Sequence, residues 1–387
     1  MDHPVRVLHI VSVMDRGGAE TLLMNIYRNI DRTLLQFDFV THTNKKGDFD
    51  DEINSLGGVI YKIPSLGESG LVGYIKELVK IMKRGKYAAV HSHTDYQGGV
   101  PALAAKISGI EKRICHSHSN NWPLGNHLKA QITLKILQRL MKAAATDFCS
   151  CSMEAAEFLF GKKMISRGKV IILKNGIDLT PFQHEQNGRE SVIKELNLPE
   201  KVKIIGHVGH FSKSKNHRFI LKVLRKIIEL DPDFVALLAG EGPLRKQIEI
   251  EAEKMGLMKN IRFLGKRDDI PRLIKAFDVF IFPSLFEGFG IVTLEAQCVG
   301  TACVVSDRVP FITDMGLNLV TYLDLEEDVN VWVQAIFHAA LKKRPPAKEI
   351  SANIIKRGFS IQDNIPYWLS LYNLNNTEEG NRLTLNL

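Results

Sequence analysis

No run of eighteen or more apolar residues occurs in the 387-residue sequence, so a membrane-spanning helix is not expected. The first residues already read as a strand, Val5-Arg-Val-Leu-His-Ile-Val-Ser12, which argues against a secretory leader and gives the cytoplasm as the expected compartment. Cysteine is scarce: there are five, an odd number, and Cys149-Ser-Cys151 lacks the two-residue spacer of redox or zinc pairs. They read as reduced, mostly core thiols. Internal repeats and low-complexity segments are also missing, which sets solenoid and linker-like architectures aside. What is present is ordinary globular composition, with 45% hydrophobic and 24% charged residues, at a length comfortable for two domains. A formal charge of +8 favours anionic partners, of which nucleotide diphosphates and acidic lipid headgroups are examples. Charge alone would also admit nucleic acid.

Short β-rich runs alternate with helical stretches, the pattern of βαβ units and parallel sheets. Seven strands are expected near Val5–Val11, Phe37–Thr41, Val59–Ile63, Ala88–Ser92, Lys112–Ser117, Asp147–Ser152 and Val170–Lys174. Six more are expected near Lys203–Val208, Phe234–Ala239, Ile261–Leu264, Val279–Phe282, Ala302–Ser306 and Leu319–Tyr322. Two such series imply two Rossmann-like domains, residues 1–180 and 190–360, joined in the polar segment 175–188 where turn residues crowd. Gln362–Asn373 reads as a helix with Trp368 and Tyr372 on one side, followed by a polar tail expected to be disordered.

The chemistry-bearing residues gather at strand ends. In Phe282-Pro-Ser-Leu-Phe-Glu-Gly-Phe-Gly-Ile-Val-Thr-Leu-Glu295, Glu287 and Glu295 flank a glycine turn, Gly288-Phe289-Gly290, that leads from an apolar strand into an apolar helix opening at Gly290–Ile291. Ligands sit beyond strand carboxyl ends in open α/β sheets, and a helix N-terminus there offers amides to an anion. A carboxylate inside so apolar a helix needs a partner, which sugar hydroxyls could supply. Gly209-His-Phe-Ser-Lys-Ser-Lys-Asn216 follows another strand and carries His210, Lys213 and Lys215, with Lys213 reading as solvated. Ala239-Gly-Glu-Gly-Pro243, with Glu241 and Gly242, closes the next strand, and Pro243 suits a helix's first turn. Gly17-Gly18-Ala-Glu20 lies between the first strand and first helix, where glycine lets a phosphate approach the backbone. His91-Ser-His93 and His116-Ser-His118 each end an apolar strand, and alternation puts both members of a pair on one face. A four-histidine metal site and satisfied strand-end histidines are both readings of that pattern. His127–Ala143 has amphipathic helical spacing, with Gln131, Lys135, Gln138, Arg139 and Lys142 on one stripe and Ile136, Leu137, Leu140 and Met141 on the other. A basic stripe of this kind suits an anionic membrane surface, whereas a solvated charged face is the plainer alternative.

The Glu-x7-Glu spacing, with Pro-Ser before it and Glu-Ala-Gln after it, resembles the retaining glycosyltransferases of the GT-B fold, the group 1 or family 4 type, and among them bacterial exopolysaccharide enzymes. Val11-Ser-Val-Met-Asp-Arg-Gly-Gly-Ala-Glu20, Ile205–Asn216 and Ala239–Pro243 extend the resemblance over most of the chain. The resemblance implies two Rossmann-like domains facing across a cleft, with the last helix crossing back so that 360–387 packs on the N-terminal acceptor domain. It implies that Lys215 binds phosphate, that Glu241 and Gly242 lie beside the sugar nucleotide, and that Arg267 in Phe263-Leu-Gly-Lys-Arg267 lies in the nucleobase loop. Glu287 would hold hydroxyls of the donor hexose and stabilise developing positive charge, and Glu295 would bind the ribose. His118 would be the active-site histidine, with His93, Asp95 and His116 on the acceptor side. The implied reaction moves a hexose from a nucleoside diphosphate, taken as uridine, to a polysaccharide or lipid-linked acceptor. No metal, no cofactor and no nucleic acid are implied, and the enzyme would be cytoplasmic and peripheral on the inner face of the cell membrane. One departure stands out: His210 occupies a position where the family usually has arginine, and histidine lacks arginine's rigid fork and fixed charge. That departure motivates a rival reading as a catalytically silent nucleotide-sugar sensor or scaffold. A sugar-nucleotide 2-epimerase is the other rival, since it can share the fold.

Overall fold

The structure, a computed structural model, describes residues 4–119, 122, 125, 127–183 and 188–374. Residues 184–187 of the expected joint and the polar tail after residue 374 lie outside the described residues. The chain forms two compact units, Met1–Ile177 with Gly358–Leu387 and Asp178–Arg357.

The first unit is built on a seven-stranded parallel sheet: β1 (Val5–Ile10), β2 (Leu35–Thr41), β3 (Ile60–Lys62), β4 (Ala89–Ser92), β5 (Lys112–Ser117), β6 (Asp147–Ser150) and β7 (Val170–Ile172). Their order is β3-β2-β1-β4-β5-β6-β7, so the winding reverses between β1 and β4. Both faces are covered, which is why β2 is buried along its whole length although Gln36, Asp38 and Thr41 interrupt its apolar residues. Alternation decides which residue meets which face: Val7 joins a core with Leu22, Ile26, Phe37 and Trp368, while Leu8 and Ile10 join another with Tyr74 and Leu78. The final helix, Ile361–Leu371, packs into the first of these cores and enters after a parallel bridge between Ile177 and Ser360.

The second unit has six parallel strands: β8 (Lys203–Val208), β9 (Phe234–Ala239), β10 (Ile261–Gly265), β11 (Val279–Phe282), β12 (Ala302–Ser306) and β13 (Val320–Leu323). The order β10-β9-β8-β11-β12-β13 reverses between β8 and β11. Helix His217–Leu230 shows how sequence fixes placement, because Ile220, Leu221, Val223, Leu224 and Ile227 are buried while Arg218, Lys222 and Arg225 stay in water. Each such burial contributes roughly 1.5–3 kcal/mol. All five cysteines are buried and unbridged, and burial pushes the Cys115 and Cys151 thiols up to about 12.

Candidate functional site

In doubly wound sheets the crevice for a ligand lies beyond the carboxyl ends of the two strands where the order reverses. In the second unit those strands are β8 and β11. The turn after β8 tightens into a single helical turn at Lys213–Lys215, then Asn216, in a left-handed conformation at φ +54°, caps helix His217–Leu230. The loop after β11 is tied to it by Leu285 N donating to Ser214 O at 2.7 Å. This tie brings the two predicted side chains together: Lys215 Nζ forms an ion pair with Glu287, and the same ammonium stands 4.8 Å from the centre of the Phe282 ring. Lys215 is half-buried and Glu287 buried, so each charge depends on the other. Gly290, at φ +81°, turns the chain into helix Ile291–Cys298. Glu295 lies one turn into that helix, and burial pushes its carboxyl up to about 7.

Glycine is required at the neighbouring turn. Gly240, at φ +140°, lies so close to Gly209 that an added Cβ would stand 2.1 Å from the Gly209 carbonyl oxygen. This close approach places Gly240-Glu241-Gly242 against the turn after β8, where Phe211 N donates to Glu241 O at 2.8 Å. The Glu241 side chain pairs with Arg245. His210 and Lys213 are both exposed.

In the first unit the reversal lies between β1 and β4, and five imidazoles collect at that end of the sheet. The register pairs His9 with His91, and His93, His116 and His118 continue the cluster on β4, β5 and just beyond. His118 Nε2 lies 2.8 Å from His93 Nδ1, and His93 Nε2 lies 3.0 Å from His9 Nδ1. A second series runs from Tyr372 OH to His91 Nδ1 at 2.7 Å and from His91 Nε2 to His116 Nδ1 at 3.2 Å. Burial lowers the His9 ring to about 3 and the His118 ring to about 4, so both are neutral at physiological pH. Asp95 takes a left-handed conformation at φ +47°, and its Oδ1 accepts from the amides of His118 at 2.7 Å and Ser119 at 3.2 Å.

Sequence comparison decides the family. The model for glycosyl transferases group 1 matches residues 188–356, and that for glycosyltransferase family 4 matches residues 16–181. The glycosyltransferase EpsF of Bacillus subtilis (strain 168) is 40% identical over 97% of this chain and 98% of its own. The chain belongs to the group 1, family 4 glycosyltransferases. An Escherichia coli relative, UDP-Gal:alpha-D-GlcNAc-diphosphoundecaprenol alpha-1,3-galactosyltransferase, is 28% identical over 78% of this chain and 79% of its own. The crystal structure of Anabaena HepE in complex with UDP and glucose superposes with a TM-score of 0.77 at 19% identity, covering 95% of this chain and 98% of that one. The fold is therefore GT-B, and the protein is a transferase.

Three further segments of this glycosyltransferase gain detail from the structure, and in the third the expected apolar stripe is corrected. Arg267, expected in the nucleobase loop, commits its N–H fork to Asp269 and Glu195, both at 2.8 Å for the shorter contacts. At the first helix, Gly18–Asn29, Gly17 is the N-cap, and the Glu20 carboxylate folds back to within 2.2 Å of where a Gly17 Cβ would stand. The Glu20 side chain thus covers the turn assigned to a phosphate, and burial pushes its carboxyl up to about 7, toward the neutral form. Third, helix Leu128–Ala144 buries Met141 and half-buries Leu137 and Leu140, but it leaves Ile136 57% exposed. Sequence reading missed His9 and Tyr372 as members of the histidine cluster. The alternation that placed His91 and His93 on one face would also have placed His9 beside them, once β1 and β4 were paired.

Proposed function

We infer that this transferase moves a hexose from a UDP-sugar, with retention at the anomeric carbon, to a polysaccharide or polyprenyl-diphosphate-linked saccharide in exopolysaccharide assembly. The observation that carries this reading is the Lys215–Glu287 pair, held beyond β8 and β11 where the strand order reverses. A diphosphate entering there takes over the Lys215 cation and releases Glu287 to accept from sugar hydroxyls. Glu295, raised by burial and with no hydrogen-bond partner among the described residues, suits a ribose diol. The relatives support the substrate classes: HepE was crystallised with UDP and glucose, and the Escherichia coli enzyme is named for UDP-galactose and a diphosphoundecaprenol-linked acceptor. The test is a nucleotide-sugar panel by thermal shift, followed by NMR of the product. UDP-sugars should stabilise most, and an α-donor should give an α-product. A β-product or preference for another base refutes the reading.

His210 gives the sensor reading its one foothold, since it stands exposed where arginine is expected. Restoring arginine (H210R) should tighten UDP binding by about threefold to tenfold, through a charge-assisted contact to phosphate. If transfer is detected only in the H210R protein, the natural chain is a sensor.

Among the described residues no helix is long and apolar enough to cross a membrane. We infer peripheral docking to anionic lipid through the exposed face of helix Leu128–Ala144. Leu128, Ile132 and Ile136 are 74%, 49% and 57% exposed, at a spacing of four that lines them along one face. The exposed cations Lys129, Lys135, Arg139 and Lys142 interleave with and flank that stripe. Apolar insertion and headgroup attraction then act together. Replacing Ile132 and Ile136 with Ser should weaken co-sedimentation with phosphatidylglycerol vesicles about tenfold or more, given ~1.5–3 kcal/mol for each buried side chain. Equal binding of the natural protein to phosphatidylcholine and phosphatidylglycerol vesicles at low salt refutes the electrostatic part.

A further inference from the structure

The histidine cluster does more than pack. Each neutral imidazole carries one N–H, so each ring-to-ring contact consumes one proton, and the direction of one contact fixes the direction of the next. The series His118–His93–His9 therefore has two arrangements. In one, His9 Nδ1–H donates to His93 Nε2 and His93 Nδ1–H donates to His118 Nε2. The ring at the inner end then keeps a bare lone pair at His9 Nε2, and His118 keeps its proton on Nδ1. In the other arrangement every donor becomes an acceptor, and the inner end becomes an N–H.

His9 Nε2 is buried and has no hydrogen-bond partner, in a ring packed against Phe37 and Phe39. A buried N–H without an acceptor is the rarer defect in folded proteins, and an under-satisfied acceptor is better tolerated. The first arrangement is thus the stable one. We propose that His93 and His9 are positioning residues that hold His118 as the Nδ1-protonated tautomer, so that it presents a hydrogen-bond donor, not a base, to substrate oxygen. This rests on His118 lying in the transferase site. Asp95 fixes the backbone of the same residue, spending a strained left-handed conformation to bring one carboxylate oxygen to two successive amides. Burial keeps His9 and His118 neutral, which is the condition for a tautomer to carry information. A donor at this position also fits a reaction in which the departing phosphate takes the acceptor's proton, since the protein then needs no base there.

The direct test is two-bond 1H–15N correlation on the full chain labelled with 15N-histidine, with the His118 ring assigned by its loss in His118→Gln. The expected result is a proton on Nδ1 and none on Nε2. A proton on Nε2 overturns the proposal, and so does a stoichiometric metal ion found in the purified protein by mass spectrometry, because both nitrogens facing each other would then be ligands. Kinetics supplies a second readout. His9→Phe keeps an aromatic ring but removes the donor to His93; it should mix the two His118 tautomers and lower kcat about tenfold, the rate equivalent of one neutral hydrogen bond, with the donor KM unchanged. His93→Asn, whose amide can still donate at the Nδ1 position, should keep about tenfold more kcat than His93→Leu. Equal kcat in His9→Phe, or equal losses in the Asn and Leu variants, overturns the relay. If the natural chain transfers no sugar, the proposed function fails by itself, and the NMR result still decides the tautomer.

Discussion

Glu287→Gln is expected to lower sugar transfer by about two to three orders of magnitude, the usual cost of removing one preorganised electrostatic contact to a transition state. The substitution keeps the size of the side chain and removes only its charge. In the unliganded site that charge neutralises Lys215, and Glu287 is buried enough that the two charges need one another. On the proposed function, a bound diphosphate would satisfy Lys215 and leave the carboxylate to the sugar, where positive charge would develop as the glycosidic bond breaks. The glutamine variant therefore loses the transition-state interaction, yet its Lys215 no longer has to leave a carboxylate before meeting phosphate. Affinity for UDP should stay within about threefold of the natural enzyme or rise, a split between kcat and binding that a merely structural role would not produce. Transfer kinetics and titration calorimetry with UDP measure the two halves. Unchanged turnover removes the role, and a parallel fall in turnover and affinity reassigns Glu287 to donor binding.

The parts legible in the sequence are those where local pattern and tertiary demand agree. Parallel strands covered on both faces must be apolar along their length, so Val279–Phe282 and Phe234–Ala239 declare themselves in the chain and recur with the same bounds in the sheet. The glycine turn at Gly240 was legible for a similar reason, because only glycine allows its approach to Gly209. What stayed hidden depends on contacts distant in sequence. Arg267 reads as an available cation until the fold brings Glu195 to it from seventy-two residues earlier. The Ile136 error has another cause: helical spacing gives the angles between side chains but not which angle faces the domain, and here the buried side centres on Ala130 and Met141, with Leu137 half-buried beside them. The histidine relay needed the pairing of β1 with β4 and the return of Tyr372 from the far end of the chain. The place of Glu20 over the Gly17 turn was not legible, because a side-chain rotamer and not sequence spacing folds its carboxyl back there.

Trp368→Ala should be the most destabilising single change in the first unit, costing about 3–5 kcal/mol for the lost apolar contacts and the cavity left behind. The indole is fully buried in the core that also holds Val7, Leu22 and Phe37, although it lies on the last described helix. Its ring centre stands 5.4 Å from that of His91, and one turn later Tyr372 reaches the His91 Nδ1. Removing the indole thus loosens the clamp on the histidine cluster as well as the core. Two units need not unfold as one, so a single melting temperature would hide the effect. Hydrogen exchange resolved by peptide separates them: opening in residues 1–177 should become about two to three orders of magnitude more frequent, since 1.4 kcal/mol is a factor of ten, while protection in 178–357 is preserved. UDP binding, which the proposed function assigns to Lys215 and Glu295 in the second unit, should persist in the same protein, and sugar transfer should fall. Equal loss of protection in both units would mean that the final helix stabilises the chain as a whole, and that the histidine cluster does not depend on it in particular.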